Sequence, residues 1–174
     1  MAKIGVIGAG SWGTALAVLL NSNGHEVTIW SIIKEEVEML RTKRQHETKL
    51  PGVVLPGEIL LTNDLKEAME DKDVLILAVP SPYTRSTAHS MKAYAKEGQK
   101  IVNVAKGIEE NTLYTLSDII EEELPGTDVA VLSGPSHAEE VGRGLPTTSS
   151  AWLGPESTAT SVPGSSSSMM SDRV

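Results

Sequence analysis

The chain has 174 residues, of which 40% are hydrophobic and 22% charged, enough for one ordinary core of about 100–200 residues and too few for two full enzyme domains. A net charge of −8 disfavours non-specific attraction to DNA, RNA or anionic membrane, because a phosphate polymer is repelled at long range. There is no cysteine, which removes disulfides, thiolate nucleophiles and Cys-based metal centres.

In chain order, 3–7 is a short β-prone run that stops at Gly8, and 11–20 is an Ala/Leu-rich helical stretch closing near Gly24. A second strand is expected over 26–30, followed by a helix whose apolar stripe is Ile33, Val37 and Leu40. Residues 48–62 contain Pro51, Gly52, Pro56 and Gly57 and read as a loop with one short strand. Asp64 with Glu67 three residues later resembles a capping box that opens the next helix. The unbroken aliphatic run 74–79 predicts a strand buried on both faces and is far shorter than the roughly 20 residues of a membrane span. A helix over 83–96, a strand over 101–105, a helix over 113–123 and a strand over 129–132 complete the alternation. Repeated strand and helix units predict an α/β fold: a doubly wound, mostly parallel sheet with helices on both faces. With Phe absent and only three Trp and three Tyr, its core is aliphatic. No basic leader opens the chain, so a cytoplasmic protein is expected.

From Ser149 onward the composition turns serine-rich and loses amphipathic period. The expected organisation is therefore a dinucleotide-binding domain over 1–148 and an irregular tail over 149–174.

The chemistry-bearing motif is Gly8-Ala9-Gly10-Ser11-Trp12-Gly13, a G-x-G-x-x-G between a strand and a helix. Gly8 permits the tight turn, Gly10 lets a pyrophosphate approach the backbone, and Gly13 lets the helix pack on the strand. The amides of the helix N-terminus then face the phosphates, so NAD or NADP is the expected cofactor. Where NAD-selective sites usually carry an acid at the end of the second strand, this chain has Trp30-Ser31. Ser31 and Lys34 are the candidate ligands of a 2′-phosphate. Ligands of open α/β sheets sit beyond the carboxyl ends of strands, which adds Lys106-Gly107 and the loop from Ser133 through Gly134 and Ser136 to His137. His25, His46 and His89 are scattered without metal spacing and read as structural or solvated, and no metal site is expected.

The segments Gly8 to Ala17, Gly24-His25-Glu26-Val27 with Trp30, Leu50-Pro51-Gly52, Val79-Pro80-Ser81, Lys106-Gly107-Ile108-Glu109 and Leu132 to Val141, in this order, resemble the N-terminal domain of bacterial-type NAD(P)-dependent glycerol-3-phosphate dehydrogenases. The resemblance covers residue 1 to about 148. It implies a Rossmann-like domain supplying the cofactor half of an oxidoreductase. That enzyme moves hydride between NAD(P)H and dihydroxyacetone phosphate, giving sn-glycerol 3-phosphate for phospholipid synthesis. It also implies a small phosphorylated substrate and admits a homodimer for a full-length parent. Carried onto this chain, the resemblance places Ser11, Trp12 and Ala138 against the cofactor, Lys106 against cofactor and substrate, and Gly134 and Ser136 against the substrate. Ile32 and Ile33 stand where the family often has a basic residue, which leaves Lys34 for an adenosine phosphate. Past Thr148 the resemblance implies a further strand and a helical domain bearing the general acid/base lysine. Residues 149–174 match neither, so no catalytic residue is assigned, and a frameshifted frame or a fragment with foreign residues is expected. The alternative function is a non-catalytic NAD(P)-binding module.

Overall fold

The computed structural model describes residues 1–134, 137–145 and 150–153. Its elements are β1 Lys3–Ile7, α1 Ser11–Ser22, β2 Glu26–Trp30, α2 Lys34–Lys43, β3 Gln45–His46, β4 Leu50–Val54, β5 Leu60–Thr62 and α3 Leu65–Met69. There follow β6 Val74–Leu77, a 3-10 turn Ser81–Tyr83, α4 Thr84–Met91, β7 Lys100–Asn103, α5 Leu116–Glu123, β8 Asp128–Ser133, α6 Ala138–Gly142 and β9 Ser150–Leu153.

The main sheet is seven-stranded in the order β5-β2-β1-β6-β7-β8-β9. Every pairing from β5 to β8 is parallel, and β9 alone runs antiparallel, against β8. This is the expected doubly wound α/β architecture. The chain builds outward from β1 on one side and then crosses to β6 on the other, so the order reverses at β1.

The aliphatic runs are explained by burial on both faces. Ile4, Val6, Val27, Ile29 and Ile76 point into one core with Leu16, Val37 and Leu40. Their neighbours Ile7, Trp30, Leu75 and Leu77 point into the other, with Met69, Met91, Ile101 and Ile120. Successive strand residues face opposite sides, so a strand covered twice needs apolar residues at every position. A third cluster joins α1, β4 and α6 through Ala15, Leu50, Val53, Ala138 and Val141, with Trp12 packed against it.

Several local expectations change. The loop expected over 48–62 carries two strands: β4, which closes an antiparallel hairpin with β3, and β5, which joins the main sheet beside β2. Asp64 caps α3 by accepting the Lys66 amide at 2.9 Å, but Glu67 accepts the Thr62 hydroxyl instead of closing a capping box. The reciprocal box lies at α5, between Thr115 and Asp118. Helix α4 ends at Met91, short of the expected 96. Beyond residue 148, where composition alone predicts an irregular segment, four residues form β9. The open edge of β8 offers unpaired backbone groups, and pairing with them requires no amphipathic period. The rest of the serine-rich segment, 154–174, lies outside the described residues. Among the described residues, no helix is long and apolar enough to cross a membrane.

Candidate functional site: the carboxyl edge of the sheet

Three turns converge at the carboxyl ends of the central strands. The Gly8 amide donates to Trp30 O at 2.9 Å, the Ala78 amide to Ile7 O at 2.8 Å and the Val104 amide to Leu77 O at 3.1 Å. The glycine motif behaves as its spacing predicts. Gly8 has φ +120°, and a Cβ there would lie 2.6 Å from Ala78 O. At Gly13 a Cβ would lie 2.0 Å from Gly8 O, so only glycine seats α1 on the turn. Around Gly10, by contrast, a Cβ would meet nothing within 4 Å among the described residues.

Gly10 is also the N-cap of α1, its backbone is extended, and among the described residues no side chain caps the helix. The first helical bond runs from the Thr14 amide to Gly10 O at 2.9 Å. The amides of Ser11, Trp12 and Gly13 therefore head the helix without partners inside it. An uncapped helix start beside an open backbone fits a pyrophosphate, because both the amides and the helix dipole favour negative charge there. Ser11 and Trp12 are half-buried at this end, and Trp12 packs toward α6, which carries Ala138.

On the neighbouring strand ends, Lys106 is exposed and its Nζ donates to Gly134 O at 2.7 Å. This contact brings two of the expected substrate residues together across β7 and β8. Gly107 has φ +112° and lies against Ser81, whose Oγ would be 3.7 Å from a Cβ there. Ser136 lies outside the described residues.

At the end of β2 the arrangement differs from expectation. Ser31 is 4% exposed. Its hydroxyl donates inward to Glu36 Oε2 at 2.5 Å and accepts the Ile33 amide at 3.2 Å. The one hydroxyl proton is thus held by a carboxylate rather than offered to a phosphate. Lys34 stands exposed as the first residue of α2.

Glu36 is the hub that sequence reasoning missed. His46 Nε2 lies 2.9 Å and Lys49 Nζ 2.6 Å from its Oε1. Burial raises the Glu36 carboxyl, but hydrogen bonds from Lys49, Ser31 and His46 outweigh it and hold the group below its ordinary range. His46, expected to be structural or solvated, is 1% exposed. A signal was present: position 36 lies on the same helical stripe as Ile33, Val37 and Leu40.

A second unanticipated network surrounds the loop after Lys106. The Arg85 guanidinium forks onto Glu109 at 2.8 and 2.9 Å and also reaches Glu122 and Glu123. These bonds from Arg85, helped by one from Thr112, hold the Glu109 carboxyl down to about 2. Its stabilising contribution is therefore complete above the ordinary carboxyl value of 4.5 and is lost as pH falls from there through about 2. NMR titration of the Glu109 carboxyl carbon is expected to show that low midpoint and to return it toward the ordinary range in Arg85→Met. Among the described residues no His, Asp and Glu group has the form of a metal site. Two open hollows at the opposite end of the sheet, lined by Lys3, Glu26, Asp71 and Lys72 among others, mix both charges and lack a glycine-rich backbone.

A family model described as NAD-dependent glycerol-3-phosphate dehydrogenase N-terminus matches residues 3–159. A glycerol-3-phosphate dehydrogenase [NAD(P)+] of Agathobacter rectalis is 62% identical over 148 residues, 85% of this chain and 44% of that protein. Its counterpart in Fusobacterium nucleatum is 60% identical over 150 residues, 85% of this chain and 45% of that protein. The crystal structure of glycerol-3-phosphate dehydrogenase from Coxiella burnetii superposes with a TM-score of 0.81 at 32% identity, covering 86% of this chain and 46% of that one. The chain thus spans about 45% of the length of the curated relatives it matches. On a match that runs from β1 past β9, the chain belongs to the family of the NAD-dependent glycerol-3-phosphate dehydrogenase N-terminus.

Proposed function

We propose that this chain is the cofactor-holding half of a cytoplasmic glycerol-3-phosphate dehydrogenase that interconverts dihydroxyacetone phosphate and sn-glycerol 3-phosphate, the precursor of glycerophospholipids. The observation that carries the reading is the open backbone at Gly10 heading an uncapped helix α1, with Lys106 presented on the next strand ends. When bound, a nicotinamide dinucleotide supplies the hydride that a ketone carbonyl takes up. The chain's own residues bind and orient. The Ser11, Trp12 and Gly13 amides hold the pyrophosphate, Trp12 and Ala138 wall the cofactor, and Lys106 offers positive charge to cofactor and substrate. Gly134 and Ser136 bound the substrate side. No residue of this chain is assigned as the acid that protonates the carbonyl oxygen. Proton delivery is typically worth 10²–10⁴-fold, so turnover by these residues alone is expected to be negligible. The domain comprises residues 1–148 together with β9, and a homodimer is proposed for the full-length relatives' architecture.

Titration of tryptophan fluorescence with NADH and NADPH tests the reading. Saturable binding with no oxidation of NADH by dihydroxyacetone phosphate is the expected result, and absence of binding overturns it. Lys34→Ala is expected to weaken NADPH about five- to tenfold, near 1–1.4 kcal/mol, and to leave NADH unchanged. Equal effects on both cofactors would remove Lys34 from the 2′-phosphate.

A further inference from the structure

We propose that Arg85 is a positioning residue for Lys106, acting through Glu109 to hold the Lys106-Gly107 loop in register with the carboxyl edge of the sheet. The inference rests on the function proposed above, in which Lys106 meets cofactor and substrate.

Lys106 has a long flexible side chain on an exposed loop, so its ammonium reaches a fixed point only when the backbone that carries it is held as well. The structure holds it on both sides. Upstream, Asn103 is 2% exposed at the end of β7, and its Oδ1 accepts the Ala105 amide at 3.1 Å, closing the turn that leads into Lys106. Downstream, Gly107 takes a left-handed conformation against Ser81, and two residues later Glu109 is gripped by both arms of Arg85.

Glu109 is in turn the anchor of a closed loop. Its amide donates to Tyr114 O at 2.9 Å, its carbonyl accepts the Leu113 amide at 2.9 Å, its carboxylate accepts the Thr112 hydroxyl, and Ile108 bridges Thr115. Arg85 also bonds Glu122 and Glu123 near the end of α5, the helix that follows directly from this loop. One guanidinium therefore ties the start of the loop to the helix that ends it. A planar fork suits this task, since two parallel bonds fix orientation as well as distance, which a lysine ammonium does not. Among the described residues Arg85 pairs with Glu109, Glu122 and Glu123, and His89 on the same helix shares Glu123.

The test uses the 174-residue chain as wild type, Arg85→Met, Arg85→Lys and Glu109→Gln. Lysine-selective acylation read by mass spectrometry, with exposed Lys66 as internal reference, reports whether Lys106 remains docked on Gly134. Arg85→Met and Glu109→Gln are expected to speed Lys106 acylation at least threefold and to raise the NADH dissociation constant about three- to tenfold, with Arg85→Lys in between. Unchanged Lys106 acylation in the folded variants overturns the proposal. Glu109→Gln keeps the side-chain shape, so it carries the test if Arg85→Met misfolds. A wild-type chain that fails to bind NADH while Lys106 acylation still responds sinks the functional reading alone. A chain that binds NADH while acylation is indifferent to Arg85 sinks the positioning role alone.

Discussion

Gly10→Val is expected to fold and melt as the parent does and yet to bind NADH and NADPH about 100-fold more weakly, whereas Gly13→Val is expected to lose the folded state. The two positions are three residues apart in one motif, and the contrast follows from what a side chain would meet. At Gly10 the backbone is extended with φ −66°, a conformation any residue adopts, and an added Cβ meets nothing within 4 Å among the described residues. The same space is where a pyrophosphate must come within hydrogen-bonding distance of the amides that open α1. Displacing it forfeits charge-assisted bonds, and 100-fold corresponds to about 2.7 kcal/mol.

At Gly13 a Cβ would sit 2.0 Å from Gly8 O and 3.2 Å from Ala78 Cβ. The first of these is backbone, so relief requires moving α1 away from the β1 turn and away from the core that Leu16 and Ala17 enter. Overpacking in a close-packed interior costs about 1–3 kcal/mol, and more where backbone must shift. Domains of this size hold only about 5–15 kcal/mol in total. Circular-dichroism melts and fluorescence titration of both variants separate the two effects. A Gly10→Val protein that retains NADH affinity would show that the cofactor does not approach the backbone there.

Glu36→Ala is expected to lower the melting temperature by about 5–10 °C, while Lys49→Met lowers it by no more than a few degrees. Glu36 is 8% exposed and accepts from Ser31, His46 and Lys49. Removing it strands the buried Ser31 and His46 donors, which costs roughly 2–3 kcal/mol, and a domain of this length loses about 2–4 °C per kcal/mol. Lys49 is 49% exposed at its side chain, and such pairs contribute about 0–1 kcal/mol. The damage should spread, because Glu36 ties α2 to the β3-β4 hairpin whose Leu50 and Val53 pack with Ala138 and Val141 of α6. Acid should act in the same direction. Glu36 is held below its ordinary range in the folded chain, so its contribution is present above that range and fades as pH falls through the depressed value. Urea unfolding at neutral and acid pH checks this, with a shallower acid dependence expected in Glu36→Gln.

How much of this was legible beforehand depended on the reach of each signal. The 74–79 run foretold two-sided burial because a strand's environment is written into consecutive residues, and Leu75, Ile76 and Leu77 do divide between opposite cores. The glycine motif was legible because its constraints act within one turn. Lys106 and Gly134 could be placed at a common edge because parallel strands align their carboxyl ends, and the structure joins them.

The inward turn of the Ser31 hydroxyl has a different origin. The residue stands at the end of β2, but the direction of its hydroxyl was decided by an acid five residues on that α2 turns back over the strand. Arg85 and Glu109 are 24 residues apart and carry no pattern that links them. They meet because β6 and β7 are neighbours in the sheet and the segments leaving their carboxyl ends lie side by side. The boundary at 148 rests on composition, which is blind to β9, since a strand can pair through backbone groups that every residue but proline possesses. Local periodicity and glycine spacing thus determined the fold class and the phosphate-facing turn. Which polar groups would consume one another was decided only when the topology set those elements side by side, because a hydrogen bond depends on distance in space and not on separation along the chain.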